Sequence, residues 1–138
     1  MEQYNKTLKK LPQTSTYGDH LTTLGKRMFG KKYKGTFPSD KIPSLTPMQS
    51  SIINLDDSSQ GGSHWVVYAR GKQKQHYMYD SFGRQGVKLI PKLKKNKKNI
   101  TDAELDPEQH YSEVNCGARC LAWLDVYYKQ GIKKALTI

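Results

Sequence analysis

The sequence predicts an α+β fold in which a small, mainly antiparallel sheet packs against a helix late in the chain. Two runs rich in aromatic and β-branched residues, 64–70 and 76–82, flank the polar segment GKQKQ and are typical of a hairpin. Further on, apolar residues from Cys116 to Tyr127 recur at helical spacing. Because 138 residues suffice for one core and are few for two, we expect a single domain over 1–138.

A short helix is expected near the amino end, with Asp19 as its N-cap and Gly30 as its stop. Its apolar residues fall at helical spacing, namely Leu21, Leu24, Met28 and Phe29. Gly25 weakens the pattern because glycine lowers helix propensity. The next segment, 34–47, contains three prolines and is predicted to be an extended loop.

Strands are predicted to fill the middle of the chain. The run 51–55 is β-rich and precedes the turn-forming segment 56–62, and a further short strand is expected at 87–90. The last predicted element is a buried helix that begins with Cys116 and ends at Gly131.

Basic residues dominate the charge of the chain, since 23 Lys and Arg stand against 12 Asp and Glu for a formal net charge of +11. This balance indicates a polyanionic partner, namely nucleic acid, an acidic protein or a charged lipid surface. The densest basic run contains Lys92, Lys94, Lys95, Lys97 and Lys98. Because no finger, RNA-recognition or heptad motif accompanies it, we expect nonspecific nucleic-acid contact there as an accessory property. The alternative for this run is a solvated loop.

Two features of the sequence indicate where the protein works. No apolar run reaches the roughly 18 residues of a membrane span, and the first residues lack the apolar stretch of a secretory signal. We therefore expect a soluble, intracellular protein without a membrane partner. Cys116 and Cys120 are too few for a disulfide framework and are expected to be reduced.

Three residues with the chemistry of a nucleophilic site stand at the ends of predicted elements. His64 opens one hairpin strand and Asp80 lies near the end of the other, so both belong to one edge of the sheet. Cys116 begins a helix, where unpaired N–H groups and the helix dipole favour the thiolate. Asp80 would orient the His64 ring, as in triads generally, and the amide of Gln109 would help the Cys116 N–H to hold an oxyanion.

Each of these residues also has a structural interpretation. Buried Cys is often a small apolar side chain, and Cys120, one turn into the helix, is predicted to be core. A histidine in a strand or an aspartate before a turn is commonly structural. A metal site made by His110, the two cysteines and His64 or His76 fits no usual zinc spacing, so no metal is expected.

Three motifs occur together in the chain. They are a Gly-Gly-x-His-Trp block ending in His64 and Trp65, an Asp-x-Phe-Gly turn beginning at Asp80, and a Gln followed seven residues later by Cys-Gly, at Gln109 and Cys116. In order and spacing they resemble adenain, the adenovirus-type maturation cysteine protease, which belongs to one superfamily with the ubiquitin-like-protein proteases. The resemblance covers most of the chain.

The resemblance implies a role for each matching residue. His64 would be the general base, Asp80 its partner, Cys116 the nucleophile and Gln109 the oxyanion donor. Four further residues are expected to contact substrate, namely Trp65, Gly62, Leu24 and Gly25. The implied fold is adenain-like, with the nucleophile on a central helix and an amino-terminal helical segment forming the opposite wall of the cleft.

The chain also departs from the family. Adenain is longer, and this chain stops soon after the predicted nucleophile helix, so the resemblance implies a short form like those of virophages and polinton-like elements. The family's activating peptide can be linked to a cysteine, but the corresponding segment, 99–101, has none. We therefore expect no covalent peptide cofactor and no required cofactor, while activation by DNA through the lysine run stays open.

The function implied by the resemblance is a cysteine endopeptidase that matures viral capsid or scaffold polypeptides at Gly-containing, Gly-Gly type sites. We expect a monomer that is found in the infected cell and packaged within the virion. Two alternatives stay open. One is a deubiquitinating or deSUMOylating protease on the same scaffold, and the other is a basic nucleic-acid-binding protein whose Cys and His are structural.

Overall fold

The computed structural model describes residues 2–11, 18–55, 64–83, 85–86, 90, 93, 99–103 and 115–138. Its helices are α1 (Glu2–Lys9), α2 (Gly18–Phe29), α3 (Cys116–Gln130) and α4 (Ile132–Ala135). Its strands are β1 (Tyr33–Pro38), β2 (Ser50–Asn54), β3 (Trp65–Arg70), β4 (His76–Tyr79) and β5 (Ile100–Asp102). This content of helices and sheet confirms the predicted α+β class.

The five described strands form one sheet in the order β1-β2-β3-β4-β5. The central strands β2, β3 and β4 pair antiparallel, whereas β1 runs parallel to β2 and β5 runs parallel to β4. The expectation of a mainly antiparallel sheet is therefore corrected to a mixed sheet. The difference comes from the two outer strands, which the sequence pattern did not predict.

One predicted element needs correction, and another lies mostly outside the described residues. The segment 34–47 was expected to be a loop, yet its residues 34–38 belong to β1. Within β1, Gly35 has a φ of +140° at an irregular step in the pairing with β2. Of the expected strand at 87–90, only Ile90 lies within the described residues.

The sheet is covered on both faces, so that all five residues of β2 are buried. Side chains alternate along β3: Val67 and Ala69 belong to the core beneath the helices, while Val66 and Tyr68 belong to a second cluster on the other face. Because β3 is buried on both faces, the hairpin that it forms with β4 has a fixed position. The predicted active-site histidine and aspartate flank this hairpin.

The two helices predicted from apolar spacing are confirmed, but α2 begins at Gly18, so Asp19 lies in its first turn and is not the N-cap. Within α2, a Cβ added at Gly25 would lie 2.4 Å from the ring of Tyr33, so this glycine permits the close approach of α2 to β1. At the end of α3, Gly131 has a φ of +87° and its N–H donates to the carbonyl of Tyr127 at 3.0 Å. No helix in the described ranges is long and apolar enough to cross a membrane.

Candidate active site

The register of the hairpin brings His64 to the same edge of the sheet as Asp80. Val67 of β3 lies opposite Tyr79 of β4, and continuing this register by three residues places His64 opposite Phe82. The two rings stack with their centroids 4.6 Å apart. Asp80 then occupies the diagonal position, which is within reach of a long side chain.

The carboxylate of Asp80 is held against the imidazole of His64. Its Oδ1 lies 2.5 Å from Nε2 of His64 and also accepts the backbone N–H of Phe82 at 3.3 Å. The carbonyl of Asp80 accepts the N–H of Gly83 at 2.8 Å, which closes the turn after β4. Since His64 is 8% and Asp80 3% exposed, the pair is buried and its geometry is set by the protein.

Cys116 reaches the same place through the packing of α3 on β3. The thiol of Cys120 donates to the carbonyl of Trp65 at 3.3 Å. Cys116 lies one helical turn earlier, which places it beside His64, the residue that precedes Trp65. Cys116 lies near enough to His64 to help raise the pKa of the imidazole. Because Nε2 of His64 is taken by Asp80, Nδ1 is the ring nitrogen left for the sulfur. The structure thus brings the cysteine, the histidine and the aspartate together, with the histidine hydrogen-bonded to the aspartate.

The surroundings of His64 favour its charged form. Burial disfavours an imidazolium, but hydrogen bonds to Asp80 and Cys116, together with the charges of these groups, outweigh it and raise the pKa of His64 above its usual value. By contrast, burial raises the pKa of the Cys120 thiol far above its usual value, and the charges of Cys116 and Asp80 add to this. Cys120 is fully buried and stays a neutral core thiol, as predicted.

The structure places the other predicted substrate-contact residues in different settings. Trp65 begins β3, and a Cβ at Gly18 would lie 3.6 Å from its indole, so the amino end of α2 borders the site. Leu24 and Gly25 lie on later turns of α2, where Leu24 packs on the core and Gly25 contacts Tyr33. Their contact with substrate stays a prediction.

Several predicted site residues lie outside the part of the chain that the structure describes. They are Gln109, Gly62, Lys92, Lys94, Lys95, Lys97 and Lys98. Their roles in oxyanion binding, substrate binding and nucleic-acid contact stay predictions. Among the described residues, no group of three or more His, Cys, Asp or Glu side chains could hold a metal ion.

Sequence reasoning missed the contribution of α1. The hydroxyl of Tyr4 lies 2.9 Å from that of Tyr79, the residue before Asp80, and accepts a hydrogen bond from Arg119 of α3 at 3.1 Å. The signal for this helix is weak, because only Tyr4 and Leu8 form an apolar pair at helical spacing in a segment rich in polar residues.

Comparison with known families gives one match. The family model described as adenovirus endoprotease matches residues 28–127, which is more than half of the chain. The matched range contains His64, Asp80, Gln109 and Cys116. No curated protein matches the chain.

Proposed function

This chain belongs to the adenovirus endoprotease family, and from that premise we propose that it is a viral cysteine endopeptidase with Cys116 as its nucleophile. His64 is the general base and acid, and Asp80 is the group that orients it. One observation carries the assignment: the buried ring of His64 is hydrogen-bonded to Asp80 and lies near enough to Cys116 for the cysteine to help raise its pKa. A nucleophile, a base and an orienting group in this order are the parts that acyl transfer needs.

The first half of the reaction forms a thioester. The thiol proton of Cys116 passes to His64, and the thiolate attacks the scissile carbonyl carbon, so that a C–S bond forms and the carbonyl oxygen takes the negative charge. The backbone N–H of Cys116 at the start of α3 and the amide of Gln109 stabilise this oxyanion. Collapse of the intermediate breaks the C–N bond, and His64 gives its proton to the leaving amine.

The second half releases the acid product. His64, now neutral, removes a proton from water, and the resulting hydroxide adds to the thioester. Collapse breaks the C–S bond and returns Cys116 as the thiolate beside a protonated His64. Asp80 keeps the ring of His64 in the orientation that both halves require.

The proposed substrates are capsid or scaffold precursor polypeptides that are cut at Gly-containing sites. Burial supports a preference for small residues, since Cys116 is 6% exposed and His64 8% exposed. A carbonyl can approach such a recessed sulfur only if the residues next to it carry little side chain. This restriction is met by Gly at the scissile bond.

We further propose that the enzyme is a monomer packaged within the virion, where it contacts nucleic acid without sequence preference. The support is the formal net charge of +11, which favours contact with phosphate groups. No cofactor takes part in the reaction, and DNA would act only by raising the local concentration of enzyme and substrate.

Cleavage of a fluorogenic peptide with a central Gly-Gly tests the proposal. We expect turnover by the wild type, loss of turnover to background in Cys116→Ala, and retained turnover in Cys120→Ala, the matched control one helical turn away. Circular dichroism checks that both variants are folded. Turnover by Cys116→Ala would overturn the assignment, and so would inactivity of Cys120→Ala alone. Faster hydrolysis of a ubiquitin-like carboxyl-terminal tail than of the peptide would favour the deubiquitinase alternative.

A further inference from the structure

One side chain of α1 contacts both segments that carry the proposed catalytic groups. Tyr4 is 1% exposed, and its hydroxyl lies 2.9 Å from the hydroxyl of Tyr79 on β4. The guanidinium of Arg119 on α3 donates to the same Tyr4 oxygen at 3.1 Å. Tyr4 thereby joins the sheet to α3 through a single atom.

Both partners of Tyr4 lead directly to the active site. Tyr79 immediately precedes Asp80 in the chain. On the other side, Nε of Arg119 donates to the side-chain oxygen of Asn115 at 3.1 Å, and the backbone N–H of Arg119 donates to the carbonyl of Asn115 at 3.0 Å. Asn115 immediately precedes Cys116, so one route from Tyr4 ends beside the orienting carboxylate and the other beside the nucleophile.

From these contacts we infer that Tyr4, acting with Arg119, is a positioning residue that fixes the distance between Asp80 and Cys116. This inference rests on the proposed function. Neither Tyr4 nor Arg119 takes part in the chemistry; they act on Cys116 and His64 through Asn115 and Tyr79.

Packing makes the Tyr4 hydroxyl a restraint rather than a loose contact. The ring of Tyr79 stacks on Trp123 with centroids 5.6 Å apart and an interplanar angle of 13°. The ring of Tyr4 meets that of Tyr79 edge-on at 6.5 Å. Because buried rings in such contacts have little freedom, their hydroxyl groups can meet in only one geometry.

The side chain of Asn115 has an unusual use that fits this role. Asn115 is the N-cap residue of α3, but its side chain makes no capping hydrogen bond to the helix. Its oxygen accepts from Arg119 instead. Asn is one of the residues preferred as a helix N-cap, but here its side chain binds Arg119 and so fixes the backbone just before Cys116.

A second contact between α1 and α3 provides a matched control. The hydroxyl of Thr7 donates to Oδ2 of Asp125 at 2.5 Å, and this buried bond also holds α1 on α3. It lies one turn further along α1 and leads to no catalytic residue. Loss of this bond weakens the docking of α1 without touching Asn115 or Tyr79.

The test compares Tyr4→Phe with Thr7→Val. The first readout is the rate of Cys116 alkylation by iodoacetamide at pH 7, which needs no peptide substrate. Trypsin cleaves after Arg119 and so separates Cys116 from Cys120 for mass spectrometry. In Tyr4→Phe we expect the alkylation rate to fall about threefold or more, because a displaced imidazole activates the sulfur less.

Peptide cleavage is the second readout. In Tyr4→Phe we expect kcat to fall about tenfold with KM unchanged, since a small misplacement of reacting groups slows the chemical step. In Thr7→Val we expect the wild-type alkylation rate and kcat at temperatures below unfolding. Arg119→Lys keeps the trypsin site and one charge but cannot bridge Tyr4 and Asn115, so it should resemble Tyr4→Phe.

Three outcomes would be decisive. A wild-type alkylation rate and kcat in Tyr4→Phe would overturn the inference and leave the proposed function intact. Equal losses in Tyr4→Phe and Thr7→Val would overturn it as well, because weaker docking of α1 on α3 would then explain the losses in both variants. A wild type without a reactive Cys116 thiolate and without cleavage would instead refute the proposed function.

Discussion

Nε2 of His64 lies 2.5 Å from Oδ1 of Asp80, although sixteen residues separate them in the chain. The hairpin register produces this contact, because His64 precedes β3 and Asp80 follows β4. Both residues are buried, so water is a poor substitute for the carboxylate. Asp80 is therefore expected to matter for the orientation of the ring and for its charge.

Replacement of Asp80 should slow catalysis without abolishing it. In Asp80→Asn we expect kcat for the Gly-Gly peptide to fall about 10²-fold, less than in Cys116→Ala, because the amide can hold the ring but lacks the charge. Asp102→Asn is a matched control, since Asp102 is the last residue of β5 and its carboxylate also accepts a backbone N–H, that of Gly86 at 2.7 Å. Equal losses in the two variants would contradict a role specific to Asp80.

The pKa of His64 should lie above the ordinary value of 6.5. NMR titration of the ring protons should show this, and Asp80→Asn and Cys116→Ala should each lower the pKa, because each removes a group that favours the imidazolium. His76 is the internal control. Burial lowers its pKa, an effect that the carbonyl of Lys74 opposes and the charge of Arg70 reinforces, and it should not respond to either substitution.

The raised pKa of His64 also determines whether stability rises or falls with pH. Because the pKa of His64 is higher in the folded than in the unfolded state, the folded state binds more protons between the two values. The contribution of His64 is therefore fully present below pH 6.5 and is lost as the pH rises through the folded pKa. Urea unfolding of wild type and His64→Gln should show a stability difference that narrows from pH 6 to pH 9. A difference that widens would contradict the raised pKa.

Gly25→Ala should lower stability more than it affects substrate binding. The new Cβ would lie 2.4 Å from the ring of Tyr33, and we expect overpacking to cost about 1–3 kcal/mol in the free energy of unfolding. Gly30→Asn is the matched control, because its φ of +63° suits Asn and nothing lies within 4 Å. A raised KM with unchanged stability in Gly25→Ala would instead favour the predicted contact with substrate.

The lysine run should account for much of any binding to DNA. Alanine at Lys92, Lys94, Lys95, Lys97 and Lys98 should reduce the slope of log affinity against log salt by roughly 0.9 for each lysine that contacts a phosphate. The charge-matched control replaces five exposed lysines elsewhere, namely Lys6, Lys9, Lys10, Lys133 and Lys134. Equal changes in slope for the two variants would show that net charge, rather than the run, determines binding.

Elements with strong periodicity could be predicted from the sequence. The apolar spacing of α2 and α3 and the β-rich runs of β2, β3 and β4 agree with the structure to within a few residues. The outer strands gave no such signal. β1 contains Gly35 and Pro38, which are unfavourable for strands, and β5 has only three residues, so their positions depend on pairing with neighbours.

The site could be predicted where local rules fix geometry. A hairpin brings the ends of its strands together, which was enough to join His64 to Asp80. The approach of Cys116 to His64 was expected from the chemistry of the three residues and from the resemblance, but no local rule fixes it, because it depends on how α3 packs on β3. The bond between Tyr4 and Arg119 spans 115 residues, and no local pattern in either segment indicates it.

Covalent labelling with a peptide vinyl sulfone that ends in Gly-Gly tests most directly whether Cys116 is the nucleophile and His64 its base. We expect one equivalent of adduct, located on the tryptic peptide that contains Cys116. The rate of labelling should fall sharply in His64→Ala. A label on Cys120, or labelling of Cys116 at an unchanged rate in His64→Ala, would contradict this assignment.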